Sequence, residues 1–166
     1  MSITIRPATE ADYDDVARIT REAYVHGGHI AEGDGYLEML GDVAHRARHA
    51  IVWVAELDGK VAGSVALTFE GQEYSDIARA GELEFRMLAV DPSIQRAGIG
   101  RALVEAVVDY ARTLEGIHSV SLTSIDNMTN AQRLYESLGF ERIRERDWKV
   151  PHEDIGLFVF VKTLES

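Results

Sequence analysis

The chain has 166 residues, 46% of them hydrophobic and 27% charged, which suits one folded domain over residues 1–166 and excludes fibrous and disordered classes. Its 28 Asp and Glu outnumber 17 Lys and Arg, and the net charge of −11 argues against nonspecific binding to nucleic acid or anionic lipid. With no cysteine, no run of about 18 apolar residues and no basic-then-apolar leader, disulfides, thiolate zinc sites and a Cys nucleophile are excluded, and a cytoplasmic protein off the membrane is expected.

Ile3-Thr4-Ile5 reads as a short strand. Thr9 and Asp12 form a capping-box pattern ahead of Val16, Ile19 and Ala23, an amphipathic helix. The glycine-rich stretch from Tyr24 to Tyr36, with His26 and His29, reads as a long loop, followed by a helix to about Arg48. Two strands, Ile51 to Glu56 and Val61 to Phe69, flank Asp58-Gly59, whose readiness for positive φ marks a tight hairpin. Glu82 to Val90 alternates, with Leu83, Phe85, Met87 and Ala89 on one side and Glu82, Glu84, Arg86, Leu88 and Val90 on the other. A helix follows from Ile99 through Leu103, Val107 and Leu114 to Gly116. Then come a strand at Val120 to Thr123, a helix from about Met128 to Leu138 capped by Gly139, and two further strands on either side of Pro151. Leu157 to Lys162 is apolar enough to lie centrally in a sheet. Strands alternating with helices, plus one hairpin, imply a three-layer α/β domain around a mixed sheet of six or seven strands.

Between Asp91-Pro92 and the long helix stands Gln95-Arg96-Ala97-Gly98-Ile99-Gly100. A glycine turn at a helix mouth offers unpaired amides and the positive end of the helix dipole, and Arg96 and Arg101 add charge at its rim. By itself the pattern also fits two glycines that merely allow tight packing. It is not a Walker loop, because Arg101-Ala102 follow Gly100, nor a dinucleotide turn, because position 103 is Leu.

These residues resemble the Q/R-x-x-G-x-G/A pyrophosphate loop of the GNAT superfamily of acetyl-CoA-dependent N-acetyltransferases. Leu88-Ala89-Val90-Asp91-Pro92, the segment from Asn130 to Phe140 (Ala-Gln-Arg-Leu-Tyr-Glu-Ser-Leu-Gly-Phe after Asn130) and Ile5-Arg6-Pro7-Ala8 are similar to that family as well. The resemblance implies a mixed, mostly antiparallel sheet of six or seven strands flanked by about four helices, acetyl-CoA as co-substrate, and a small amine or peptide amine as acceptor. A homodimer is among the assemblies it implies. Carried onto this sequence, the backbones of Leu88, Ala89 and Val90 would pair with the pantetheine amides. Gln95, Arg96, Ala97, Gly98, Ile99, Gly100, Arg101 and Ala102 would wrap the pyrophosphate. Many members place an asparagine seven residues before the tyrosine. Here that position is Met128, so Asn127 and Asn130 are the alternatives.

Without a Cys or a G-x-S-x-G elbow, the simplest acyl transfer is direct attack by a bound amine in a ternary complex. The amine must first lose a proton, and the resemblance gives that task to Glu84, with Glu82 on the same face; the bland alternative is a solvated or ion-paired strand residue beside Arg86. By periodicity Met128, Ala131, Tyr135 and Leu138 form a packed stripe, whereas the resemblance makes Tyr135 the acid that protonates the departing thiolate. Leu88 N–H would polarise the thioester carbonyl. His45 and His49 have the four-residue spacing of a zinc pair but lack the glutamate of H-E-x-x-H, so no metal is expected. Glu141 to Lys149 alternates in sign and reads as a solvated strand face. The rival to an enzyme is a noncatalytic acyl-CoA-binding module, which needs the glycine turn but neither Glu84 nor Tyr135.

Overall fold

The fold is that of a computed structural model describing residues 2–26, 35–94, 97–149 and 155–165. The elements are β1 (Ile3–Pro7), a 3-10 turn (Glu10–Asp12), α1 (Tyr13–His26), α2 (Tyr36–Gly41), α3 (Val43–His49), β2 (Ile51–Leu57), β3 (Lys60–Phe69) and β4 (Glu82–Val90). They continue with α4 (Ile99–Arg112), β5 (Ser119–Ile125), α5 (Thr129–Ser137), β6 (Glu141–Arg142), a 3-10 turn (Arg144–Arg146), β7 (Trp148–Lys149) and β8 (Gly156–Thr163). The sheet order is β1-β2-β3-β4-β5-β8-β6, with β7 also on β8. Every pairing is antiparallel except β4 with β5. The mixed, mostly antiparallel α/β sheet is thus as expected, and among the described residues it has eight strands, two of them very short, with five helices, one more of each than the six or seven strands and about four helices implied.

Alternation along β2 puts Val54 in a small cluster with Val16 of α1 and Val43 of α3, while Ala55 joins the main core with Leu103, Val104 and Val107 of α4. The sheet is therefore covered on both faces. Burying each of those α4 side chains is worth on the order of 2 kcal/mol. The Asp12 carboxylate accepts from the Thr9 amide at 2.7 Å and from Arg6, fastening β1 to the start of α1. Asp58 (φ 51°) and Gly59 (φ 87°) make the tight turn of the β2–β3 hairpin.

Three expectations change. The helix after Tyr36 is two helices broken at Asp42, whose side chain caps α3 by accepting from the His45 amide at 3.2 Å. Helix α1 runs through His26, so Tyr24 to His26 are helical and not part of a loop; the rest of that stretch to residue 34, His29 included, lies outside the described residues, as does Pro151. Residues 141–149 are not a continuous solvated strand. A 3-10 turn interrupts them, and the Arg146 side chain, 7% exposed, is drawn inward by a two-bond pair with Glu82 at 2.8 and 2.9 Å.

Candidate active site

Parallel pairing of β4 with β5 covers only Glu82–Ser119, Leu83–Val120 and Glu84–Ser121. Beyond Glu84 the strands part, for a local reason in β4. Met87 has φ 55°, a left-handed backbone that a long side chain rarely adopts, and the β3 register shifts there, from Ser64 opposite Ala89 to Ala66 opposite Arg86. This bulge re-aims the strand. Met87 packs with Leu40 and Tyr74 on the α2 side, whereas Leu88 and Val90 lie against the main core with Leu83 and Phe85. Strict alternation, which put Leu88 and Val90 on the face of Glu84, fails at this one inserted residue.

The resulting cleft has a volume of about 340 Å³. Phe85 to Val90 form one wall, Leu122 and Thr123 of β5 the other, and Asn127, Met128, Asn130 and Tyr135 approach from α5 and the turn before it. Leu88, Ala89, Val90 and both candidate asparagines are therefore brought together at one gap. So is the glycine turn, through Gly100. Gly98 sits at φ 77° as the N-cap of α4, and among the described residues a Cβ there would meet nothing within 4 Å, so the glycine serves the backbone angle. The Ala102 amide bonds back to the Gly98 carbonyl at 3.0 Å, so Ala102 is tied into the first helical turn; the amides of Ile99, Gly100 and Arg101 precede it at the helix mouth. Ile99 is buried in the core and Ala97 packs beside it, so these two contribute to the turn by backbone alone. Arg101 is exposed and donates to Ser137 Oγ of α5 at 3.1 Å. Gln95 and Arg96 lie outside the described residues. Behind the turn, Asp91 accepts from the amide and hydroxyl of Ser93 and pairs with Arg18, which fixes the exit of β4.

Tyr135 is both a core ring and a cleft residue. Its ring lies 5.8 to 6.1 Å from those of Phe85, Phe140 and Phe160, and it is 6% exposed. Burial raises its pKa well above the ordinary phenol value, so it carries its proton at neutral pH. Among the described residues no side chain or backbone group is hydrogen-bonded to its hydroxyl. Packing and chemistry are not alternatives at this position.

Glu84 is not on an open face. It is wholly buried, and its Oε1 accepts from Ser75 Oγ (2.9 Å) and from the amides of Asp76, Ile77 and Ala78 (each 3.1 Å). Burial raises its pKa despite those donors. It is absent from the cleft wall, because the 75–78 segment folds over it. Glu82 is likewise engaged, by Arg146 and the Arg79 amide. Arg86 does not partner Glu84 by a hydrogen bond. It donates to the Tyr74 carbonyl (3.1 Å) and Tyr36 Oη (3.4 Å), lies 3.3 Å from Asp76 Oδ2, and faces the cleft.

Three cleft residues escaped the reading of the sequence. Tyr24, at the last turn of α1, has no motif around it. Arg86 stood out only as a guanidinium inside an apolar strand. Thr123 lines the cleft with Oγ1 buried and without a hydrogen-bond partner among the described residues, a property no sequence pattern carries.

The sequence model of the acetyltransferase (GNAT) family matches residues 13–140. The chain belongs to this family. Among curated relatives, it is 36% identical over 91 residues to N-acetylaspartate synthetase of Xenopus tropicalis, covering 55% of this chain and 31% of that protein. It is 35% identical over 96 residues to human N-acetyltransferase 8, covering 57% of this chain and 40% of that protein. The chain thus spans well under half the length of the curated relatives it matches. A Salmonella typhimurium protein solved with its cofactor acetyl-CoA superposes with a TM-score of 0.69 at 23% identity, covering 100% of this chain and 96% of that one. The GNAT fold is therefore the fold of this chain, and acetyl-CoA is the co-substrate of its family. Among the described residues no helix is long and apolar enough to cross a membrane.

Proposed function

We propose that this GNAT domain transfers acetyl from acetyl-CoA directly to a primary amine held with it in a ternary complex. The observation that carries the reading is Tyr135, its hydroxyl without a hydrogen-bond partner among the described residues, on the wall of the gap that opens where β4 and β5 cease to pair. The cleft fits the co-substrate on two counts. Among the described residues nothing crowds Gly98 at the helix mouth, and Thr123 Oγ1 is a buried hydroxyl without a hydrogen-bond partner.

Acetyl-CoA supplies an activated thioester acyl group. The amides at the mouth of α4, from Gly98 to Ala102, hold its pyrophosphate, Arg101 supplies charge, and Leu88 to Val90 offer backbone to the pantetheine arm; the resemblance adds Gln95, Arg96 and Ala97 to the pyrophosphate set. Asn127 or Asn130 adds a side-chain contact. The Leu88 N–H polarises the thioester carbonyl, and Tyr135 gives its proton to the sulfur as the carbon–sulfur bond breaks, regaining it as the new amide sheds one. Glu84 receives a different part from the one the resemblance gave it. Its carboxylate is spent on the 75–78 segment, so the ammonium proton of the acceptor passes to water in the cleft and Glu84 shapes the acceptor wall.

Arg86 on that wall favours an acceptor amine that also carries a carboxylate, and a relative named N-acetylaspartate synthetase supports this class. Free-thiol release from acetyl-CoA, followed with amines, amino acids, polyamines and peptides, tests the proposal, because a protein without cysteine is silent in the assay. Initial rates varied in both substrates should give intersecting lines. Parallel lines would overturn direct transfer. Tight acetyl-CoA binding with no acceptor raising thiol release would favour the noncatalytic binding module.

A further inference from the structure

Away from the cleft, α3 and the 70–81 segment bring three metal-ligating side chains together. His45 and His49 stand one turn apart on α3 with ring centroids 4.5 Å from each other. The carboxylate absent from their local motif arrives from elsewhere in the chain. Glu73 is hydrogen-bonded to His45 Nε2 through one oxygen, and its other oxygen lies 3.9 Å from His49 Nδ1. One ligand atom from each of the three lies within 4.8 Å of the others.

The surroundings permit a cation. Arg46, between the two histidines in sequence, turns inward and donates to the Met39 and Leu40 carbonyls, and Asp42 lies at the start of the same helix. Arg48 is the exposed cation on α3. Glu73 is held from behind by Tyr74, which is 5% exposed and packs with Leu40 and Met87, its ring 5.9 Å from that of His45.

We propose that His45, His49 and Glu73 form a binding site for a divalent transition ion of the zinc type. Two imidazole nitrogens and one carboxylate oxygen suit such an ion, with water completing the coordination at this exposed surface. None of the three lines the cleft, so the ion is structural. It ties α3 to the segment whose Tyr74 carbonyl holds Arg86 and whose Ser75 to Ala78 donors hold Glu84, and occupancy therefore stiffens the acceptor wall. This inference does not depend on the acetyl-transfer reading.

The test titrates the chelator-treated full chain with ZnCl2 by calorimetry, alongside His49→Gln, Glu73→Gln and His26→Gln. A single site is expected, weakened by at least about tenfold in the first two variants and unchanged in the third. These positions are exposed, so the ion-free variants should match the parent in circular dichroism. Equal affinity in all variants, loss of binding in His26→Gln, or no binding below about 100 µM overturns the site. Hydrogen exchange of the 73–78 amides should slow with Zn²⁺ in the parent and not in Glu73→Gln. Intact binding with unchanged exchange overturns the clamp.

Discussion

Tyr135→Phe removes one oxygen and leaves the ring among Phe85, Phe140 and Phe160. Because no described residue is hydrogen-bonded to the hydroxyl, its loss strands no partner, and stability should change by less than about 0.5 kcal/mol. Tyr135→Ala, by contrast, empties an aromatic site and should cost about 3–5 kcal/mol. A positioned acid contributes about 10²–10⁴ in rate, so kcat of the Phe variant should fall at least about a hundredfold with KM for acetyl-CoA little changed. Thiol release measures the rate, and thermal denaturation measures the fold. Because burial raises the phenol pKa above its ordinary value, the parent's activity should show no alkaline fall assignable to this group below about pH 10. A Phe variant that folds like the parent and retains kcat within about twofold would refute the acid role.

At Gly98 (φ 77°) an alanine meets no neighbour among the described residues but suffers the left-handed backbone; Gly98→Ala should cost about 1 kcal/mol and weaken acetyl-CoA binding measured by calorimetry. Glu84→Gln retains the oxygen that accepts four hydrogen bonds and should keep both fold and kcat, whereas Glu84→Ala strands four donors and should cost about 3 kcal/mol by urea denaturation; a Gln variant that folds but loses kcat restores Glu84 as the base. Arg86→Met should raise KM for a carboxylate-bearing amine at least about tenfold while sparing acetyl-CoA, and equal KM values in steady-state kinetics would remove Arg86 from acceptor recognition. The hydrogen bond from Arg6 chiefly depresses the Asp12 pKa, so the pair stabilises above the unfolded carboxyl value near about pH 4 and the gain is lost as pH falls through the lower folded value. Arg6→Met should therefore cost about 2 kcal/mol at pH 7 and much less at pH 2, read from denaturant midpoints.

Much of the scaffold was legible in local chemistry. Asp58-Gly59 made the hairpin, Thr9 with Asp12 started the first helical turn, and Gly139 (φ 93°) ended α5, because each depends on backbone preferences of a few adjacent residues. The cofactor side was legible for a related reason. There Gly98 (φ 77°) turns the chain into α4, and a helix mouth is written in consecutive residues, whereas its part in holding a cofactor belongs to the proposal.

The acceptor side was not legible, because its geometry depends on residues far apart in the chain. Alternation assumes an unbroken pleat, and a single left-handed residue at Met87 moved Leu88 and Val90 to the other face and parted β4 from β5. Glu84 read as a polar strand residue until the 75–78 amides closed over it, and Arg146 read as solvated until it met Glu82, 64 residues away. His45 and His49 lacked a glutamate within their helix, and the fold brought Glu73 from 28 residues beyond His45. The sequence alone therefore determined an acidic, cysteine-free α/β chain with a glycine turn at the mouth of its long helix. Only the tertiary structure decided which carboxylates are spent, which hydroxyls lack a partner among the described residues, and where a chain of net charge −11 gathers Tyr24, Arg86 and Tyr135 around one cleft. Burial and long-range pairing set those properties, and neither is encoded in the spacing of neighbouring residues.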